Sequence, residues 1–315
     1  MTLENGFLTD LSLLCFVCAD LDRTVRRCAT ELGIGPWDVY DFAPPRLFDT
    51  EISGAPAPYR MRVAFSTVGG MGWSLLEPTG GASIYADFLK RRGPGLHHVA
   101  FLHEPLSYAD CIREFGRRGY AVVQKGNYCG RFCYLDTRER AHLIFELIED
   151  HDATMLDRLY RFPGESDGAD AAPLFDRTVS AGLVTGDLSR SLALYAGELG
   201  IGPWSVEERV SPAIARRATA RIGRYLWELV EPGKGASAYR ERLDAKGASA
   251  HSIGVSGGDY EGALAQLRAR HIDIAPADGA NGHAAYLATE DILGVRLKFF
   301  EREPGISPAG TRYPG

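Results

Sequence analysis

Cys15 and Cys18 stand in the run LSLLCFVC with the CxxC spacing of zinc sites and thiol–disulfide centres. The run is apolar and reads as a strand, where positions three apart face opposite sides, so the pair is expected to be small buried core residues. All six cysteines (Cys15, Cys18, Cys28, Cys111, Cys129 and Cys133) fall in the first half, and an intracellular protein keeps such thiols reduced. No GxSxG and no convincing Ser/His/Asp order occurs, and the glycine pairs lack the strand-to-helix setting of a phosphate loop. His103 and His142 read as surface or edge residues.

The elements that must position any site follow from periodicity. Residues 11 to 18 read as a buried strand. Asp20 is a good N-cap for a helix through LDRTVRRCATEL, whose apolar positions are Leu21, Val25, Cys28 and Leu32, and Gly33 ends it. Strands follow at WDVYDF, RMRVAFS and GWSLLEP, the last two joined across Gly69-Gly70. A short helix carries SIYADFLK. The pattern then restarts with a strand LHHVAFLH, a helix YADCIREFGRRG, and strands YAVVQ, RFCYLDT and HLIFELIE. Strand, helix and three strands, twice, predict an α+β fold with helices on one face of a curved sheet.

The pattern is also duplicated along the chain. ELGIGPW occupies residues 31 to 37 and recurs at 198 to 204. WSLLEPTGGASIYADFL from Trp73 matches WELVEPGKGASAYRERL from Trp227, and Tyr134-Leu135 matches Tyr286-Leu287. The spacing between the first two matches shortens in the second copy, so the first carries a longer loop around DFAPPRLFDTEISGAPAPYR. Two domains result, at residues 1–151 and 177–303, with a linker at 152–176 that begins with a turn or two of helix. The tail, 304–315, has little to bury and is expected to be loose.

The chain has 315 residues, 45% hydrophobic and 24% charged, with net charge −6. That suits two globular domains, and the absence of a Lys/Arg run argues against nucleic acid or a polybasic membrane contact. The start, MTLENGFLTD, lacks the basic region of a signal peptide, and no apolar stretch is long enough to span a membrane. The expectation is a cytoplasmic protein.

The paired βαβββ modules, the LGIGPW turn, LLEP…GASIYADFL, GPGLHHVAF and the terminal LIFELIE resemble the vicinal-oxygen-chelate (VOC) superfamily, the glyoxalase, bleomycin-resistance and dioxygenase group. The likeness is nearest to its methylmalonyl-CoA-epimerase-like branch. It spans residues 11 to 150 and, less strictly, 176 to 302. It implies two tandem VOC domains, each of two βαβββ modules forming a curved mixed sheet around a cleft. It also implies a divalent metal there, held by four strands and chelating neighbouring substrate oxygens. In the first copy the four ligand positions fall on Leu13, Ser74, His98 and Glu146, of which only His98 and Glu146 match. In the second they fall on Ser180, Glu228, Ser252 and Lys298. Only Glu228 matches, so this copy is expected not to hold the metal.

Three roles are open to His98 and Glu146: metal ligands in an incomplete set, a metal-free acid/base pair, or a hydrogen-bonded remnant. His97 is expected to face away, since neighbours alternate on a strand. Glu228 is either a general base in the second cleft or the partner of Lys298. Ser74, Tyr40 and Tyr134 are candidates for substrate contact, with Tyr128 and Cys129 beside them. Trp37 and Trp204 close the repeated turn, packing on the next strand or stacking on a ligand, and Tyr85 and Tyr239 read as structural. The resemblance favours an isomerase, epimerase or lyase acting by proton abstraction next to a carbonyl of a small-molecule substrate. The alternative is a binding protein that sequesters its ligand. An extradiol-type dioxygenase is disfavoured, because two-copy members keep the full ligand set in the second copy. A homodimer is open on family precedent.

Overall fold

The computed structural model describes residues 8–149, 157–164, 173–277, 284–306 and 310–314. The first module runs β1 (Asp10–Val17), α1 (Leu21–Thr30), β2 (Trp37–Phe42), an inserted hairpin β3 (Phe48–Ile52) and β4 (Ala55–Pro56), then β5 (Arg60–Val68) and β6 (Met71–Gly80). After α2 (Ile84–Arg92), the second runs β7 (Gly95–Leu102), α3 (Tyr108–Arg117), β8 (Val122–Asn127), β9 (Arg131–Leu135), α4 (Arg138–Ala141) and β10 (Ile144–Ile148). A further strand, β11 (Arg158–Phe162), follows. The helices begin where side chains can satisfy their first free N–H groups: Asp20 accepts from Arg23 N, Ser83 from Ala86 N and Ser107 from Asp110 N.

The two modules are not separate sheets. Their first strands pair antiparallel, β1 with β7, giving one eleven-stranded sheet in the order β11-β2-β5-β6-β1-β7-β10-β9-β8-β3-β4. Alternation assigns the faces. On β2, Trp37 and Val39 enter the core on one face, while Phe42 enters a second apolar cluster on the other. The sheet curls until its ends approach, and the ring of Phe42, near one edge, stacks on Tyr128, near the other, at 4.0 Å.

The long loop of the first copy is what bridges those ends. It leaves β2 and forms the β3–β4 hairpin, and β3 pairs with β8 (Phe48 with Asn127, Ile52 with Gln124). Sequence reading left this segment as a loop because its pairing partner is another module's edge, which local periodicity does not show. The helical start given to the linker is also corrected. Arg158–Phe162 is a strand paired antiparallel with β2, with Asp38 holding both Arg158 and Arg161. Linker residues 152–156 and 165–172 lie outside the described residues.

The second half repeats the plan with β12 (Arg177–Val184), α5 (Leu188–Leu192) continuing as a π-helical stretch (Ala193–Glu198), β13 (Trp204–Glu208), β14 (Ile214–Ile222) and β15 (Tyr225–Pro232). Then come α6 (Ala238–Lys246), β16 (Ser249–Ser256), α7 (Tyr260–Ala269), β17 (Ile274–Pro276), β18 (Ala284–Leu287), α8 (Glu290–Leu293), β19 (Arg296–Phe300) and β20 (Thr311–Tyr313). These form a nine-stranded sheet, β17-β18-β19-β16-β12-β15-β14-β13-β20. The tail expected to be loose instead supplies β20, whose backbone covers the edge of β13 (Trp204 with Tyr313).

The helix-bearing faces of both halves merge into one core. Polar contacts fix the junction: Trp73 Nε1 donates to Thr178 Oγ1 at 2.9 Å, and Tyr195 OH to the Ala141 carbonyl at 2.6 Å. Arg92 and Lys246, at equivalent ends of α2 and α6, donate into each other's half, to the carbonyls of Ala248 and Arg92. Cations there also oppose the negative ends of the two helices. Among the described residues no helix is long and apolar enough to cross a membrane.

Candidate active site

The four positions that the resemblance marks in the first copy come from β1, β6, β7 and β10, and all face one cleft on the concave side. Leu13, Ser74, His98 and Glu146 line a space of about 70 Å³ whose remaining wall is largely apolar, including Val63, Phe65 and Phe132. The convergence follows from register. Cys15 on β1 is opposite Ser74 on β6 and His98 on β7, so the strands bring all three residues into one row.

His98 Nε2 lies 3.3 Å from Glu146 Oε2, and the two residues are 2% and 4% exposed. Burial works against a charge on His98. The Cys15 thiol and the Glu146 carboxylate outweigh it, raising the imidazole pKa to about 10. His98 is therefore a cation held against a carboxylate. Among the described residues none donates a hydrogen bond of normal geometry to Glu146 Oε2, a buried acceptor on the cleft wall.

His97 does not face away. Between β1 and β7 the pairing slips: Cys15 is opposite His98, but the next residue, Phe16, is opposite Leu96. His97 is the extra residue of a β-bulge, and the bulge breaks the strict alternation on which that expectation rested. Its Nδ1 comes within 2.8 Å of His98 Nδ1. Burial and the neighbouring His98 charge hold the His97 pKa well below the usual value. A neutral His97 then accepts at Nδ1 the proton that the His98 cation donates, a tautomer assigned from the pKa directions.

Tyr134 is buried in the cleft wall with its ring 4.8 Å from His98. Tyr40 is half-buried against Phe65, one residue back from the cleft. Trp37 does not line it. Its side chain belongs to the helix-side core, fully buried, with Nε1 donating to the Ile34 carbonyl at 2.6 Å, because odd-numbered positions of β2 point away from the cup. Trp204 repeats that bond to Ile201.

Glu228 is not brought to His98 and Glu146; it lies in the other sheet. Lys298 Nζ stands 3.8 Å from Glu228 Oε2, so the charged residues at the two ligand positions of this copy face each other. His251 occupies the same bulge as His97 and stacks on Tyr239 at 4.3 Å. Tyr85, Tyr134 and His97 thus correspond to Tyr239, Tyr286 and His251. The trio is present in both cups, whereas the ligand positions differ. Cys15 was missed by sequence reading, although it stands two residues from Leu13 and so on the same face of β1. His142 was also misplaced: it is half-buried at the junction, with Nε2 2.9 Å from Ser191 Oγ.

A divalent ion is the group the resemblance implies. The donor set does not fit it. Catalytic sites of this kind use three protein ligands, and here the first position is the hydrocarbon of Leu13 and the second the neutral hydroxyl of Ser74. Among the described residues no three of His, Cys, Asp and Glu are grouped to hold a metal.

Comparison with known proteins agrees on the fold. Residues 14–134 match the Glyoxalase/Bleomycin resistance protein/Dioxygenase superfamily. No curated protein matches the chain. Among solved structures, a triple mutant of 4-hydroxymandelate synthase from Streptomyces coelicolor is similar over 94% of both chains, at TM-score 0.66 and 13% identity. A xylose isomerase-like TIM barrel/4-hydroxyphenylpyruvate dioxygenase fusion protein is similar over 98% of this chain and 51% of its own, at TM-score 0.57 and 10% identity. A methylmalonyl-CoA epimerase variant from Streptomyces coelicolor aligns with 42% of this chain and 99% of its own, at 22% identity and TM-score 0.37. The two longer likenesses carry the tandem two-domain fold and nothing about chemistry.

Proposed function

We propose that the first cup takes up a small, largely apolar carbonyl compound and moves a proton at the carbon next to its carbonyl, as an isomerase or lyase does. The observation that supports this is the His98–Glu146 pair at the base of an apolar cleft. Glu146, an acceptor without a hydrogen bond at Oε2 among the described residues, takes the proton as the C–H bond breaks. The His98 cation, 3.3 Å away, opposes the negative charge that develops on the carbonyl oxygen. In a site shielded from water that attraction is strong and needs no reorganisation. Tyr134 and Ser74 orient the carbonyl. The proton then returns to the same or a neighbouring carbon, giving isomerisation, or a group leaves from the β-carbon, giving elimination. No step is assigned to a metal.

The test is proton exchange in D2O, followed by NMR, on a panel of aryl and alkyl ketones and acyl thioesters. Wild-type protein accelerates exchange next to the carbonyl, and Glu146→Gln abolishes it. A second reading, sequestration without turnover, is favoured by the small apolar space and by Leu13 at a ligand position. Compounds that raise the melting temperature without exchanging in any member of the panel would establish it instead.

A further inference from the structure

The duplication lets the two cups be compared position by position, and the second has changed character. Val63, on the wall of the first cleft, corresponds to Arg217, and Phe65 to Thr219. Pairing supports the match: Phe65 is opposite Ser74 in the first sheet, as Thr219 is opposite Glu228 in the second. Cys15 corresponds to Gly182, where a side-chain Cβ would come 2.8 Å from Ser252 Oγ and 3.2 Å from Glu228 Oε2. The bare backbone at Gly182 lets those two polar groups converge. An apolar wall has become one with two cations, a carboxylate and hydroxyls.

Among the described residues no hydrogen bond joins Glu228 to either cation, and Lys298 Nζ lies over the Phe300 and Tyr286 rings at 5.1 and 5.8 Å. Glu228 lies between the cations, with Arg217 Nη1 3.8 Å from Oε1 and Lys298 Nζ 3.8 Å from Oε2. Both distances exceed a hydrogen bond. Lys298 is 4% exposed, and Arg217 is tied on its other side to Glu207 at 2.7 Å. Thr219 is also 4% exposed, and its Oγ1 has no hydrogen-bond partner among the described residues. Its neighbours Ala218 and Ala220 lie in the helix-side core, so alternation turns Thr219 toward the cup. Buried donors and acceptors held just out of reach of each other are costly unless something completes them.

We propose that the second cup is a binding site for a small zwitterion of the α-amino-acid type. Its carboxylate accepts from Lys298 Nζ, Arg217 Nη1 and the Thr219 hydroxyl, and its ammonium donates to Glu228. The choice of a zwitterion follows from charge balance. The formal charges of Arg217, Lys298, Glu207 and Glu228 cancel, and a ligand of zero net charge keeps them cancelled in a buried site. A bare anion leaves Glu228 opposed by a like charge.

The experiment is calorimetric titration of the whole chain with glycine and L-alanine, with acetate and methylammonium as half-ligands. Saturable binding of at least one amino acid is expected, with each half-ligand weaker by roughly tenfold or more. Thr219→Val, an isosteric change, weakens binding about fivefold, as loss of one hydrogen bond does. Lys298→Met weakens it further. Should Lys298→Met fail to fold, Thr219→Val and Ser252→Ala carry the test. The proposal is overturned by the absence of saturable binding of either amino acid, by acetate binding as tightly as glycine, or by affinity unaltered in these second-cup variants. None of these results bears on proton exchange in the first cup, so the two readings fail separately.

Discussion

His98 Nε2 and Glu146 Oε2 face each other across 3.3 Å in a cleft whose other walls are mostly hydrocarbon. A buried ion pair of this kind is poorly tolerant of losing one member, because the survivor stays buried and uncompensated; the typical penalty is about 3–5 kcal/mol. Glu146→Gln and His98→Gln are each expected to lower stability by a large fraction of that. The double variant is expected to recover much of the loss. Denaturant unfolding of the three variants checks this, and a double variant as unstable as the sum of the singles would show that the two residues do not act as a pair.

The histidines set opposite arms of the stability–pH profile. Burial holds His97 and His251 well below the ordinary value, and His142 at about 4. The unfolded chain binds these protons first, so their contribution is present above about pH 6.5 and is lost as pH falls toward 4. His98 is raised to about 10, so its contribution is full below about pH 6.5 and is lost as pH rises through 10. The melting temperature should therefore fall on both sides of neutrality. In His142→Gln the acid limb should become shallower. An acid limb that keeps its slope in that variant would remove His142 from the account.

Metal affinity gives a third test, because the donor set fails at two identified places. Purified protein should hold no stoichiometric divalent ion. Leu13→His together with Ser74→Glu supplies the two absent donors beside His98 and Glu146, and this double variant should bind about one zinc or manganese ion per chain. Elemental analysis after dialysis reads both. Stoichiometric metal in the wild type that disappears in His98→Ala would reverse the conclusion about fit.

The hairpin that crosses from the first module to the second should govern access to the cleft. Replacing residues 48–56 by a short Gly-Ser linker removes β3 and β4 and bares the edge of β8. Such a variant is expected to bind hydrophobic dyes and to let water into the cleft, with amide exchange rising first in residues 122–127. Unchanged protection there would mean that β8 does not depend on its added neighbour.

The repeated segments made the two-domain plan legible, because identity across two copies needs no knowledge of contacts. The four ligand positions were legible for the same reason: they sit at fixed places in strands whose pattern is plain. Three features were not. The side on which His97 lies depends on a slip in pairing between β1 and β7. The strand at Arg158–Phe162 exists because β2 has a free edge to offer, which nothing in RLYRF announces. The polar lining of the second cup came from Arg217 and Thr219, on a strand at which the family pattern has no ligand and where the eye has no reason to stop.

The β3–β4 hairpin also bears on how the chain reaches this structure. Phe48 pairs with Asn127, and Tyr40 with Arg158, residues far apart along the chain. Pairings between residues so distant along the chain are slow to close, since a long loop must be ordered before the contact repays it. The second half has no counterpart of the hairpin. Its sheet has two such long closures to make, Arg177 with Ser256 and Trp204 with Tyr313, where the first sheet has three, Asp10 with Leu102 among them. The half that is synthesised last is thus the one with the simpler path.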